Sequence, residues 1–199
     1  MSIIKAKEYL KSVGYEDRVI EFAESTATVA EAAEAVGVEP AMIAKTMSFL
    51  QGEKTVLILT EGTAKVDNRK YKDTFHVKAK MIPFDEVEQY VGHAPGGVCP
   101  FGINEGVEVY LDESLKQFEV VYPAAGNDHS AVKLTIPELE EVAGAKGWVD
   151  VCKEPEETEC TSMIQKHCYE CGTELIEKDL EGEGIVPYCP QCQQYRFPM

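Results

Sequence analysis

Basic residues are scarce in this chain: 19 lysines and arginines stand against 35 aspartates and glutamates, for a formal net charge of −16. That deficit excludes general affinity for nucleic acid, which depends on Lys and Arg neutralising phosphates. Long apolar runs are lacking as well. VLIL at 56–59 is strand-sized, far short of the ~18 residues a membrane span requires, so no membrane partner is expected. The N-terminal stretch MSIIKAKEYLKSVG carries charges throughout and has no apolar signal core; a cytoplasmic protein is expected. Tryptophan occurs once, at Trp148, where packing against a sheet edge is expected. No Ser-His-Asp or paired-carboxylate constellation is discernible, so the usual apparatus for general-base hydrolysis is missing.

What is present suffices for a core. Of 199 residues, 44% are hydrophobic, which suits one domain of ordinary size with a small appendage. Residues 1–24 have helical spacing broken at Gly14. Thr28 and Glu31 form a T-x-x-E capping box opening an alanine-rich helix that ends at Gly37. Pro40 opens a short helical turn. KTMSFL and TVLILT read as a hairpin through QGEK. Asp67 caps a helix NRKYKDTF, and His76 after it reads as a strand-edge residue. FDEVEQYV is a helix ending at Gly92, VEVYLD and FEVVYP are strands, PELEEVAG is a helix and GWVDVCK a last strand. Helices interleaved with paired strands predict an α+β (mixed α/β) domain over 1–152, a central mixed sheet surrounded by helices. Residues 153–166, KEPEETECTSMIQK, have the composition of a linker. No internal repeat is visible.

Seven cysteines in a chain of this kind point to metal or catalysis before disulfides. Cys168-x-x-Cys171 and Cys189-x-x-Cys192 are two knuckles separated by 17 residues. Each places two thiolates on one tight turn, and two turns complete a tetrahedral zinc site with every position filled. Such a zinc is structural, and over 167–199 it would supply the folding energy a small core cannot. Two redox CxxC pairs are the alternative, though nothing around them suggests a βαβ redox fold. His167 is read as surface, and Cys152 and Cys160 as free thiols without a role. No organic cofactor is expected. The segment resembles the zinc ribbon that precedes the catalytic domain in some Nudix hydrolases. The glutamate-rich Nudix box is lacking, so that chemistry is not inferred; a docking module for nucleic acid or protein is expected.

The loop Gly92–Gly102, GHAPGGVCPFG, has four glycines and two prolines in eleven residues. Glycine lets backbone N–H groups turn toward a ligand and proline fixes the turn, which is what an oxyanion or phosphate requires. Lys45 opens the strand KTMSFL. Between Lys65 and Lys80 lie six basic residues (Lys65, Arg69, Lys70, Lys72, Lys78, Lys80) and two acidic ones. That run is either a solvated helix face or a local landing site for a polyanion on an otherwise repulsive body.

AAEAVGVEPAMIAKTMSFL, VLILTEGTAKVDNRKYKD, VEQYVGHAPGGVCPFG and YLDESLKQFEVVYPAAGND with LTIPEL occur in the order seen in the YbaK/EbsC family, which the stretch from about 22 to 151 resembles. That family comprises trans-acting deacylases that hydrolyse mischarged tRNA, often tRNA(Pro), and the resemblance is to its longer, prolyl-editing-like branch. It implies a YbaK-like editing fold and an ester substrate at the aminoacyl-tRNA 3′ end, with an aminoacyl-tRNA synthetase as a further partner. Lys45 matches the family's KT or KS lysine, which would anchor the terminal adenosine or stabilise developing charge. Gly96 and Gly97 match the element whose N–H groups would face the scissile carbonyl, with Pro100 holding that loop rigid. The second glycine turn, AAGNDHS, would form the opposite wall, through Gly126, Asn127 and His129. The free ribose hydroxyl would assist water in place of a protein base. His93 ranks below His129, and Cys99 is either a nucleophile with a base beside it or a small pocket-lining residue. Two other readings remain: a non-enzymatic regulator binding an aminoacyl or nucleotide ligand, and a hydrolase of small esters that does not use tRNA.

Overall fold

The computed structural model describes residues 2–153, 176–180, 184–189, 191–192 and 194–195. The chain divides into two units, Met1–Lys153 and Glu154–Met199. In chain order the first unit runs through α1 (Ser2–Ser12), a 3-10 turn (Glu16–Arg18), β1 (Val19–Glu21), α2 (Val29–Val36) and a second 3-10 turn (Pro40–Met42). It continues with β2 (Ile43–Gln51), β3 (Lys54–Glu61), α3 (Asn68–Phe75), α4 (Val87–Val91) and β4 (Glu108–Asp112). A 3-10 turn (Glu113–Gln117), β5 (Val120–Pro123), β6 (Ser130–Val132), β7 (Leu134–Thr135), α5 (Ile136–Val142) and β8 (Trp148–Val149) complete it.

Local chemistry starts these elements. Thr28 accepts from the Glu31 N–H while the Glu31 side chain accepts from the Thr28 N–H, the reciprocal box expected for α2. Thr135 and Glu138 repeat the device at α5. Asp67 caps α3 by accepting from the N–H groups of Arg69 and Lys70. Two expectations are corrected. The helix foreseen over 1–24 stops at Ser12, because the chain beyond turns to pair β1 with β6 (Val19↔Val132). His76 sits not on a strand but at the end of α3, in the left-handed conformation at φ 60.

A six-stranded mixed sheet in the order β7-β5-β2-β3-β4-β8 forms the frame. Strand β3 lies in its middle, antiparallel to β2 and parallel to β4. Val56, Leu57, Ile58 and Leu59 are all fully buried, which is why VLIL reads as a continuous apolar run and not as an alternation. Leu57 and Leu59 join the main core with Leu10, Phe101, Leu111 and Leu139. Val56 and Ile58 face the other way, onto Phe49, Tyr71 and Val151. A third cluster packs Ala32 and Ala33 of α2 on Ile43, Tyr122 and Ala131.

One irregularity positions the site. Strand β2 pairs with β5 only at Ile43↔Tyr122 and Ala44↔Pro123. Beyond Ala44 the neighbour leaves the sheet, and β2 regains a partner only where Leu50 N–H donates to Lys80 C=O and Ile82 N–H to Ser48 C=O. The sheet is split beside Lys45 and Thr46.

In the second unit β9 (Ile176–Leu180), β10 (Gly184–Cys189) and β11 (Gln194–Tyr195) form an antiparallel sheet in the order β11-β10-β9. Cys189 closes β10 and Cys192 lies in the turn to β11. Cys168 and Cys171 lie outside the described residues, as does the expected linker over 154–166. Among the described residues no group of three or more His, Cys, Asp or Glu is arranged to hold a metal ion, and no helix is long and apolar enough to cross a membrane.

Candidate active site

The split in the sheet opens a cavity of about 170 Å³. Lys45 and Thr46 form its floor, Gly96 and Val98 one wall, Thr28 of the α2 cap and Ser130 of β6 two others. Because side chains alternate along a strand, Lys45 and Thr46 point to opposite faces of β2. The backbone groups of Thr46 point to the same side as those of Ser48 and Leu50, which is the side of the gap.

Lys45 is half-buried. Its ammonium donates to the carbonyls of Gly62 (3.1 Å) and Ala64 (2.6 Å). Burial pushes its pKa below the usual lysine range, and the neighbouring Cys152 and Glu61 counter part of that shift. Thr46 Oγ1 is buried and makes no hydrogen bond, although a hydroxyl shut away from water normally finds a partner. It belongs to a residue lining the cavity.

The glycine loop is rigid from within. The His93 ring is fully buried, and its Nε2 lies 2.7 Å from the Phe101 carbonyl, which makes Nε2 the protonated nitrogen. This bond ties the two ends of the loop together, and burial lowers the His93 pKa, so the ring is held neutral. Cys99 Sγ is 3.6 Å from that same Nε2, but a nitrogen that carries the proton is no base for the thiol. The thiol is also fully buried and its pKa is pushed up to about 12. A nucleophilic cysteine needs the opposite environment, and Cys99 packs in the main core instead of facing the cavity.

The two adjacent glycines do different work. The Gly97 N–H donates to the Ala94 carbonyl at 3.1 Å, so it is not available to a ligand. Gly97 is required for another reason: a Cβ there would lie 2.4 Å from the Asn127 Cα and 2.7 Å from the Gly126 carbonyl carbon. The two glycine turns touch backbone to backbone at this point. Gly96 has φ +88, a conformation few L-residues adopt, and neither its N–H nor that of Val98 has a partner among the described residues. Gly96 and Val98 are thus residues of the loop that line the cavity and whose amides have no partner among the described residues.

The remaining residues expected in the pocket support it from behind. Pro100 lies in a separate depression beside Tyr9 and Ile103. Asn127 Oδ1 accepts from the Ser130 hydroxyl and from the His129 N–H, which folds the 126–130 turn on itself. His129 Nδ1 pairs with Asp128 at 2.8 Å on an exposed edge, and the His129 carbonyl accepts from Phe22 N–H. Gly126, Asn127 and His129 shape the turn that Gly97 packs against, and none of the three lines the cavity. Thr46 and Ser130, which do line it, carry no sequence signal beyond adjacency to Lys45 and to the AAGNDHS turn.

Residues 23–142 match the model of the aminoacyl-tRNA editing domain. The chain belongs to that family. The matched stretch runs from just before α2 through α5, so it contains Lys45 and both glycine turns of the editing domain. A Bacillus subtilis (strain 168) relative, "Uncharacterized protein YwhH", is 46% identical over 155 residues, covering 77% of this chain and 99% of the relative. "Proline--tRNA ligase" of Limosilactobacillus fermentum is 35% identical over 95 residues, which is 45% of this chain and 17% of the ligase. Among solved structures, one named "putative trans-editing enzyme for prolyl tRNA synthetase" superposes with a TM-score of 0.70 at 30% identity, covering 77% of this chain and 98% of that one.

Proposed function

We propose that this editing domain is a trans-acting aminoacyl-tRNA deacylase that removes a small, wrongly attached amino acid from tRNA of the tRNA(Pro) type. The observation that carries the reading is that one cavity of about 170 Å³ is lined by Lys45 together with Gly96 and Val98, whose amides have no partner among the described residues. A cavity of that size suits a small aminoacyl group; it is well below the ~300–1,000 Å³ of pockets for drug-sized ligands. The segment shared with proline–tRNA ligase supports the choice of tRNA, and under this reading such a synthetase would be the source of the mischarged substrate.

In the reaction, water attacks the ester carbonyl carbon and a tetrahedral oxyanion forms. The bond from that carbon to the ribose oxygen then breaks, the ribose oxygen takes a proton, and free amino acid and uncharged tRNA leave. The amides of Gly96 and Val98 would receive the oxyanion, each donor of this kind being worth roughly 3–4 kcal/mol in the transition state. Lys45, already anchored at two carbonyls, offers a remaining N–H to the terminal adenosine or to the developing charge. The adjacent ribose hydroxyl positions the water, since among the described residues no side chain lining the cavity is suited to act as general base.

The tail is assigned a structural zinc held by Cys168, Cys171, Cys189 and Cys192. The support is the spacing of the two knuckles, together with a β10–β11 hairpin turn that carries the second pair. Zinc there would hold the ribbon together and has no part in the hydrolytic step.

Purified protein is to be assayed against tRNAs charged with each small amino acid, scored by release. Release from one or a few charged tRNAs is expected, and Lys45→Ala is expected to abolish it while the protein stays folded. Wild-type turnover in Lys45→Ala would overturn the mechanism, and binding of charged tRNA without any release would favour the regulator.

A further inference from the structure

We infer that Asp112, a carboxylate outside the cavity, is a positioning residue that holds the Gly62–Ala64 turn, and through its carbonyls the Lys45 ammonium, in working geometry. The inference deepens the deacylase reading and rests on it. Asp112 closes β4 and is 1% exposed. A carboxylate is costly to bury unless donors surround it, and here they do. Oδ1 accepts from the Ser114 N–H at 3.0 Å, and Oδ2 from the Val151 N–H at 2.9 Å.

Each of those two partners leads to the Lys45 cradle from a different side. Ser114 Oγ accepts the Glu61 N–H at 3.2 Å, which fixes the residue immediately before Gly62. On the other side Val151 C=O accepts the Asp67 N–H at 2.8 Å, Val66 bridges to Cys152, and Lys153 N–H donates to Lys65 C=O at 2.8 Å. Those contacts clip the residues that directly follow Ala64. The stretch 61–67 is thus bolted at both ends to one carboxylate, and its centre supplies both carbonyls that take the ammonium, at 3.1 and 2.6 Å. Only a carboxylate accepts from two diverging N–H groups with no donor of its own to misplace.

Asp112→Asn is the direct test, because the amide matches the shape but must present its NH₂ to one of the two N–H groups. With charged tRNA as substrate, kcat is expected to fall by about ten- to a hundredfold while KM stays within about twofold. A second readout follows the titration of the Lys45 side chain by NMR. Glu61, Lys65 and Cys152 are the titratable groups that face it. In Asp112→Asn the loosened ammonium gains water, so its pKa is expected to rise toward the ordinary lysine value. Ser114→Ala, which keeps the carboxylate and removes the hydroxyl that accepts from Glu61 and bonds the Cys152 thiol, is expected to give the same signature at smaller amplitude. It decides the matter if Asp112→Asn does not fold. Wild-type kcat, or a lowered kcat with the Lys45 titration unmoved, overturns the inference. Lys45→Ala is run alongside: if it deacylates normally the deacylase reading falls, while the titration still reports whether Asp112 positions the lysine.

Discussion

At the scale of single residues, two neighbours in the glycine loop show how identical side chains serve different physics. Gly96 is needed for its positive φ; Gly97 is needed because another backbone occupies the space of its Cβ. In Gly97→Ala the new carbon meets main-chain atoms, which cannot swing aside as a flexible side chain would. A loss of roughly 1–3 kcal/mol in stability is expected, with deacylation reduced at least tenfold because the two turns separate. Urea unfolding and kcat/KM measure the two effects independently. Cys99 makes the opposite case. Its thiol is buried with a pKa of about 12, so Cys99→Ala is expected to keep kcat/KM within about twofold of wild type. A loss beyond a hundredfold in a folded Cys99→Ala would restore the nucleophile.

At the scale of elements, the cavity owes its existence to a strand pairing that stops early. Strands β2 and β5 share two residue pairs, and the backbone left open by β5 is the floor on which a substrate would rest. Helix α2 then fills the flank, and its cap residue Thr28 reaches the cavity. Helix α5 carries the same capping box without touching the cavity, so it separates stability from function. Thr135→Ala is expected to cost about 1 kcal/mol of stability with kcat/KM unchanged, as read from the denaturant midpoint and the deacylation assay. If activity falls with stability, α5 contributes more than a scaffold.

At the scale of the whole molecule, charge and division into units matter most. A body at −16 repels a polyanion, and the basic run sets Lys65, Lys72, Lys78 and Lys80 on exposed positions, with Arg69 92% exposed on α3. Any tRNA binding along such a limited patch is expected to be weak and strongly salt-dependent, as an assay across salt concentrations would measure. The second unit is expected to hold one zinc per chain, measurable by elemental analysis. Chelation is expected to make residues beyond about 160 sensitive to protease while the cooperative unfolding of the first unit and its deacylation persist. Complete loss of activity on chelation would make the metal catalytic.

The sequence by itself determined the elements whose hydrogen bonds close within a few residues. The Thr28–Glu31 capping box, the Asp67 cap, the proline turn at 40 and the apolar strand 56–59 are legible because donor and acceptor, or the burial pattern, lie in one short window. Lys45 and the glycine loop were legible as a motif, and with them the family. Which loop amides stay unengaged, that Pro100 and His129 stand behind the cavity instead of in it, that His93 bolts the loop, and that Asp112 braces the lysine cradle were decided only in three dimensions. Each depends on atoms brought together from distant parts of the chain, and no local pattern encodes a contact whose partner lies on another strand.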